Sequence, residues 1–174
     1  DGKVVAVDPS FPFDFTAQVP TIAEGGNTVT LQVRATDTGG NSSPSDPVVL
    51  QVVPDTFPPV LKSVSVDEAA RRFFVKSIDF GFDEPLDTAK LDPSAVPLVR
   101  AGADGKFGTA DDEAIAVTLD FRSQGQLLSV ITPGYLAPGD YQLTVKGASV
   151  TDKAGNALGG DIVRHFTIRP ASDV

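Results

Sequence analysis

The sequence predicts an all-β protein of two tandem β-sandwich domains, the first of them incomplete. Two observations carry this prediction: apolar and polar residues alternate through many short segments, and turn residues separate those segments at regular spacing. A third is compositional. Gly 16 and Pro 14 among 174 residues give a turn-rich chain, and 41% hydrophobic residues suffice for a packed core.

Alternation is clearest from Thr28 to Thr36, where apolar side chains occupy the odd positions. The segments Ile115–Phe121 and Tyr141–Val145 follow the same pattern. A period of two places successive side chains on opposite faces, so each segment is predicted to be a half-buried strand. Further strands are predicted at 3–7, 13–17, 48–53, 60–66, 73–80, 96–99, 127–132 and 162–168.

Helical periodicity is nearly absent from the chain. Two short stretches, 67–72 and 88–91, are each predicted to hold one turn of helix. Glycine, proline and asparagine clusters predict turns between the strands. These clusters are Glu24–Asn27, Thr38–Asn41, Pro133-Gly134, Pro138–Asp140 and Ala154–Asn156.

The segment Pro54–Pro59 predicts the domain boundary, because Pro-Pro gives a short and fairly stiff extended linker. It divides the chain into a partial domain at 1–54, a linker at 55–59 and a domain at 60–170. The second domain offers about seven strands, the number in one immunoglobulin-like sandwich. The first offers about four, which are too few to close a sandwich. We expect a neighbouring chain, or residues outside these 174, to pair with its open sheet edge.

Short motifs in both halves carry a resemblance to bacterial proteins. Through Phe11–Phe15 and the hairpin Ala35–Ser42, residues 1–54 resemble the C-terminal portion of a bacterial Ig-like repeat. Residues 57–168 resemble an Ig-like domain of bacterial S-layer and surface proteins. The motifs that carry this second resemblance are Pro58-Pro59-Val60, Phe82–Asp87, Gly139–Val145 and Thr151–Leu158. Asp83 and Leu86 stand where the family usually has Ser and Met.

The resemblance implies a non-catalytic spacer or adhesion module, located outside the cell or at its surface, with neighbouring Ig-like domains as partners. The alternative is an accessory domain of a secreted hydrolase that binds carbohydrate. An enzyme is disfavoured, because no nucleophile–base pair is found. A broad hydrolase activity that depended on Glu84 or His165 would overturn that choice.

Composition excludes several classes of site. The net charge of −9 argues against nucleic-acid binding, which needs a basic patch. No apolar run approaches the roughly 18 residues of a membrane span. With no Cys there is no disulfide and no thiolate metal site. The single histidine, His165, is expected on the outer face of its strand, opposite Phe166, without a catalytic role.

The sharpest local motif is the acidic loop Ala103–Glu113, which carries four carboxylates and two glycines within ten residues. Ca²⁺ takes about six to eight oxygen ligands from carboxylates and from backbone carbonyls that a bent loop turns inward. Arg100 and Gly102 occupy the places of the first two acidic ligands of an EF-hand, so this is not one. The other interpretation is a solvated acidic hairpin. Calcium is the candidate cofactor, and its predicted ligands are Asp104, Lys106, Thr109, Asp111 and Asp112.

Two other acidic groups have simpler interpretations. The group of Asp79, Asp83, Glu84 and Asp87 is expected to consist of exposed turn acids that cap backbone N–H groups. Acid–base chemistry on a sugar would also need stacking aromatics, and the chain has no Trp and two Tyr. A linker ion held by Asp55, Asp37 and Asp152 is an open alternative. Asp37 and Asp152 each precede a Gly-Asn turn, which explains them without metal.

Phenylalanine accounts for most of the aromatic residues, 11 against two Tyr. Six of them are predicted to lie in the core of the second domain, because phenylalanine side chains are usually buried. They are Phe73, Phe74, Phe80, Phe82, Phe107 and Phe121. Phe107 is in addition expected to anchor the acidic loop.

Overall fold

The computed structural model of the chain describes residues 2–17, 19–20, 22–66, 71–72 and 74–170. Two compact units divide the chain between Asp55 and Thr56. The fold is all-β, as predicted, with one four-residue helix at Ile22–Gly25. No helix in the described ranges has the length and apolar character needed to span a membrane.

Unit 1, the first of the two, contains two separate two-stranded antiparallel sheets. One pairs β1 (Thr28–Leu31) with β4 (Val48–Gln51), and the other pairs β2 (Arg34–Thr36) with β3 (Ser42–Pro44). None of its described side chains is buried. Unit 1 therefore has little apolar burial to stabilise it. Two-stranded sheets are in any case at best marginally stable alone.

The strands of unit 1 differ from the predicted ones. The predicted strands at 3–7 and 13–17 do not form, and no described strand pairs with either segment. The predicted strand at 28–36 is broken at Gln32-Val33 because the chain changes partner there. Its backbone leaves β4 and bonds Ser45 instead, whose N–H donates to the Val33 carbonyl at 2.8 Å.

Unit 2 is a sandwich of two antiparallel sheets, one of which also contains a short parallel pair. The described strands are β5 (Leu61–Val64), β6 (Arg71–Arg72), β7 (Ser77–Phe82), β8 (Leu98–Arg100), β9 (Glu113–Ile115), β10 (Thr118–Arg122), β11 (Leu127–Ile131), β12 (Gly139–Val145) and β13 (Ile162–Ile168). The sheets have the orders β10-β11-β7-β5 and β6-β13-β12-β8-β9. Their buried side chains form one core cluster, so the two sheets share one interior.

The period-two pattern puts alternate residues of these strands into the core. Ile78, Phe80 and Phe82 are the buried residues of β7. Tyr141 on β12 stacks against Phe166 on β13, with ring centroids 5.3 Å apart and planes 10° apart. The Tyr141 hydroxyl donates to the Ala137 carbonyl at 2.7 Å, and burial raises the pKa of the phenol. The buried tyrosine thus satisfies its polar end.

Three predictions for unit 2 are wrong in detail. The predicted strand at 115–121 is two strands, because the chain leaves one sheet after β9 and joins the other at β10. The expected turn of helix at 88–91 is a hydrogen-bonded turn, closed by Lys90 N–H to the Asp87 carbonyl. Of the expected turn at 67–72, residues 67–70 lie outside the described residues, and 71–72 form β6.

The predicted strand at 73–80 begins only at Ser77, and this shift changes the core. Phe80 and Phe82 are buried, and Phe121 packs against the core as predicted. Phe74 is 69% exposed, so its placement in the core is wrong. Phe73 lies outside the described residues.

Candidate functional site

The acidic loop connects β8 to β9, and its own carboxylates fold it. Asp112 Oδ2 accepts the N–H groups of Gly108 at 2.6 Å and Thr109 at 3.1 Å. Its Oδ1 accepts the N–H of Gly102 at 3.4 Å. One carboxylate therefore joins the start of the loop to its middle. Donors that a turn leaves without backbone partners are satisfied in this way.

Asp111 and Asp104 close the rest of the loop. Asp111 Oδ1 accepts the Thr109 hydroxyl at 2.7 Å, and Oδ2 accepts the Asp104 N–H at 3.3 Å. Asp104 Oδ1 in turn accepts the Lys106 N–H at 2.9 Å. The Thr109 hydroxyl, followed by the Asp104 N–H, lowers the pKa of Asp111, because these donors favour the ionised carboxylate.

Two contacts hold this loop against the sheet. Phe107 does not belong to the core cluster, so its predicted place in the core is wrong. Its ring lies 5.4 Å from the imidazole of the exposed His165 on β13, as expected of an anchor of the loop. His165 is exposed, with Nε2 3.0 Å from Gln142 Oε1 on β12, as predicted for the outer face. At the base of the loop, Arg100 pairs with Glu113 at 3.3 Å.

The five predicted calcium ligands thus lie in one loop, but the carboxylate oxygens of this loop do not surround a common position for an ion. Among the described residues, no choice of one oxygen each brings Asp104, Asp111 and Asp112 all within 4.8 Å of one another. Calcium ligands lie about 2.3–2.6 Å from the ion, so these three carboxylates do not form a closed calcium site as they stand. Calcium at this loop stays a prediction.

A second pair of carboxylates lies at the other acidic group. Oxygens of Glu84 and Asp152 lie within 4.8 Å of each other. Asp152 is 1% exposed, and its carboxylate accepts Gly155 N–H at 2.6 Å, Asn156 N–H at 2.9 Å and Asn156 Nδ2 at 2.7 Å. The buried charge is therefore matched by three donors.

The same turn occurs in unit 1. Asp37 accepts Asn41 N–H and Asn41 Nδ2, both at 2.8 Å, and the Asn41 side chain is the main cause of its lowered pKa. In both turns the residue before the asparagine is a glycine with positive φ, 87° at Gly40 and 96° at Gly155. Both aspartates therefore accept the hydrogen bonds that form their turns.

The remaining candidate acids bond neighbouring strands and turns. Asp83 Oδ1 accepts the Val60 N–H at 2.8 Å, which is the main cause of the lowered pKa of this carboxyl. Asp87 pairs with Lys90 at 2.7 Å, and Asp79 pairs with Arg122 at 3.3 Å. Asp83 thus accepts a backbone N–H as predicted, whereas the prediction of a turn position is wrong for Asp79, which lies within β7.

Sequence reasoning missed a surface cluster of Phe74, Lys76 and Tyr135, which we call the aromatic platform. Phe74 is 69% and Tyr135 64% exposed, and their ring centroids are 5.4 Å apart in an edge-to-face arrangement. Lys76 Nζ lies 4.4 Å from the centroid of Tyr135. The available signal was the alternation of Phe74, Val75 and Lys76 before the strand, which places the first and third on one face.

Comparison with protein families gives one match. A family model described as a bacterial Ig-like domain matches residues 55–168, which include all the described strands of unit 2. Comparison with curated proteins finds no match.

Solved structures of similar fold come from two kinds of protein. PcoC, a methionine-rich copper resistance protein from Escherichia coli, is 17% identical with a TM-score of 0.50, over 64% of this chain and 98% of that chain. The N-terminal part of the bacterial S-layer protein SbsC is 18% identical with a TM-score of 0.43, over 65% of this chain and 24% of that chain. CopC from Methylosinus trichosporium OB3b is 16% identical with a TM-score of 0.44, over 67% and 98%. At 17% identity the likeness to PcoC concerns the fold alone.

Proposed function

Because this chain belongs to the bacterial Ig-like domain family through residues 55–168, we propose that it is a non-catalytic spacer or adhesion module of a bacterial surface or secreted protein. Unit 2 supplies the folded body of the module. We further propose that unit 1 is the C-terminal portion of a second Ig-like domain in tandem with it, and that neighbouring Ig-like domains of the same protein are its partners.

The observation that supports a spacer best is the pairing of β12 with β13. Seven residues of each strand are paired, from Gly139 with Ile168 to Val145 with Ile162. Because β13 is the last strand of unit 2, a pull on the chain beyond it loads this long ladder. The core side chains Tyr141, Leu143 and Phe166 of the two strands must leave the interior when the ladder opens, which opposes extension.

Copper handling is not part of this proposal, although PcoC is a copper resistance protein. Cu(I) sites favour Cys and Met ligands, and imidazole is the other common copper ligand. The 174 residues contain no Met, no Cys and one His. The single imidazole, His165, contacts Gln142 and Phe107.

Pulling single molecules by their two ends tests the spacer role. We expect unit 2 to unfold in one discrete step that lengthens the chain by roughly 350 Å, because about 110 residues are released at up to 3.3–3.6 Å each. Gradual extension without a step would contradict a load-bearing role. Unit 1, which has no buried side chain among those described, is expected to extend before that step.

We also propose that calcium stabilises the module at Asp104, Lys106, Thr109, Asp111 and Asp112. The loop carries four carboxylates, and a divalent cation would screen their mutual repulsion. The same pulling experiment, repeated in calcium and in a chelator, measures the effect as a rise in unfolding force. Asp104→Asn with Asp111→Asn is expected to abolish that rise, whereas Asp46→Asn in unit 1 leaves it unchanged. An unfolding force independent of calcium contradicts the metal site and leaves the spacer role standing.

A strand of another chain is proposed to complete unit 1. Natural edge strands are usually protected by charged side chains. In unit 2 the edge strands β5, β9 and β10 carry charges, such as Lys62, Glu113 and Asp120. β1 and β4 have none, and each pairs only with the other among the described strands.

Sedimentation of the chain over a range of concentrations tests this pairing. We expect association that Val49→Lys abolishes, because the new charge lies on the open edge strand β4. Val60→Lys is the control, since it makes the same change at an exposed valine outside unit 1 and is expected to leave association intact. A monomer at every concentration, with unit 1 resistant to protease, would contradict pairing with another chain.

A further inference from the structure

The aromatic platform is unusual because its large side chains contact each other and yet stay in water. Single exposed apolar residues are common on protein surfaces, but contiguous ones mark interaction sites. Phe74 and Tyr135 contact edge to face, and Lys76 lies over the Tyr135 ring. An apolar surface, a hydroxyl and a cation are thus presented together at one place.

The platform is held rigidly by the core below it. Val75, between Phe74 and Lys76, is buried, and so is Leu136 directly after Tyr135. The buried Thr132 joins the two segments. Its N–H donates to the Lys76 carbonyl at 3.0 Å, and its hydroxyl lies 2.7 Å from the Gly134 carbonyl. A site fixed in this way loses little conformational entropy when a ligand binds.

The electrostatics of the platform favour an anion. Within the described parts of the chain, no carboxylate lies within 4.0 Å of Lys76 Nζ. The protein as a whole carries a net charge of −9, which opposes anion binding in general, so the attraction for an anion must come from this local cation. A ligand that carries a carboxylate beside an apolar face complements the three side chains.

The described strands that follow the platform residues are inner strands of their sheets. β7 follows Lys76 directly, and it pairs with β11 from Ser77 to Gly81 and with β5 from Phe80 to Phe82. β12 follows Tyr135 and is likewise paired on both sides, with β13 and with β8. Peptides that bind by strand addition need an open edge. A flat platform instead suits a ligand that stacks on it.

We propose that the aromatic platform binds an acidic polysaccharide, through a sugar ring that carries a carboxylate. The C–H face of a pyranose ring is apolar and packs on the exposed ring of Phe74. The Tyr135 hydroxyl bonds a sugar hydroxyl, and Lys76 pairs with the carboxylate. Each contact is weak alone, and tandem modules on one surface would add their contacts along a polymer.

Binding of oligosaccharides to the whole chain, followed by amide chemical shifts, tests this site. The probes are tetragalacturonate, its methyl ester, and short fragments of hyaluronan and alginate. We expect at least one acidic probe to shift the amides of residues 74–76 and 134–136. Phe74→Ala and Tyr135→Ala are each expected to weaken that binding about tenfold. Lys76→Gln is expected to lower the affinity for tetragalacturonate to the affinity for its methyl ester.

Matched controls separate the platform from general surface effects. Phe57→Ala removes an aromatic ring that is 76% exposed elsewhere in the chain. Lys153→Gln removes another exposed cation. Neither substitution is expected to change binding. The proposal is overturned if no acidic probe binds at millimolar concentration, or if the platform variants bind as the unchanged protein does. Shifts at the platform caused only by polyglutamate or by anionic lipid vesicles overturn it as well.

Discussion

Replacing Phe80 with alanine is expected to lower the free energy of unfolding of unit 2 by about 3–5 kcal/mol. Phe80 lies in the middle of β7 with none of its surface exposed, and it belongs to the cluster that both sheets share. The change removes apolar contacts and leaves a cavity that the surrounding strands fill only in part. Since small domains are stable by about 5–15 kcal/mol, this is a large share of the total.

Denaturant unfolding followed by far-ultraviolet circular dichroism measures this loss. Phe57→Ala is the matched control, because the same atoms are removed from a side chain that is 76% exposed. It is expected to change stability by less than about 0.5 kcal/mol. Equal effects of the two substitutions would mean that the shared core does not hold the sandwich together.

The second large effect is expected at Asp152. Asp152→Ala leaves the N–H groups of Gly155 and Asn156 without their acceptor, and we expect a loss of about 2–4 kcal/mol in the free energy of unfolding. Asp152→Asn keeps the shape but is still expected to cost about 1–3 kcal/mol. Both carboxylate oxygens accept hydrogen bonds, so the new amide loses the charge that strengthens them, and the Asn156 side chain must turn over to accept from its N–H.

Exchanging the two side chains of the turn tests this assignment. Asn156→Asp alone is expected to destabilise, because it sets two carboxylates against each other. In the double variant Asp152→Asn with Asn156→Asp, the new amide donates to the new carboxylate and its oxygen accepts the two backbone N–H groups. Stability is therefore expected to recover beyond the sum of the single changes, by about 1–2 kcal/mol in a double-mutant cycle. Simple additivity would contradict the assigned pattern.

Alternation of side chains was sufficient to predict the sandwich. β12 and β13 lie where the period of two places them, because a strand paired on both sides must direct alternate residues inward. The predicted role of Phe80 as a core residue follows from the same rule. The predicted strand ends are wrong where a strand ends because the chain changes its pairing partner. Gln32-Val33 and Ala116-Val117 keep the alternating pattern across a break, since the change of partner is not encoded in the period.

The candidate sites formed by residues close in the chain were predictable from the sequence, and the site formed by distant residues was not. The acidic loop and the two Asp–Asn turns are local, so their residues were found from spacing, and so was the turn-forming role of Asp37 and Asp152. The aromatic platform joins residues about 60 positions apart in the chain, through Thr132 and Lys76. Phe74 was assigned to the core because phenylalanine usually lies there. Continuing the alternation of β7, whose buried residues are Ile78, Phe80 and Phe82, would also bury Phe74. The structure shows that the alternation changes phase between Lys76 and Ser77, which are both exposed, so that Val75 and not Phe74 is buried.

The composition of the core has a consequence for chemical damage. The core cluster of unit 2 consists of Val, Leu, Ile and Phe with one Ala and one Tyr, and the whole chain lacks methionine and cysteine. Peroxide and hypochlorite attack sulfur first, and a sulfoxide formed in a core turns an apolar contact into a polar one. Oxidants that reach this protein find no sulfur to attack, so its packing survives conditions that loosen thioether-containing cores.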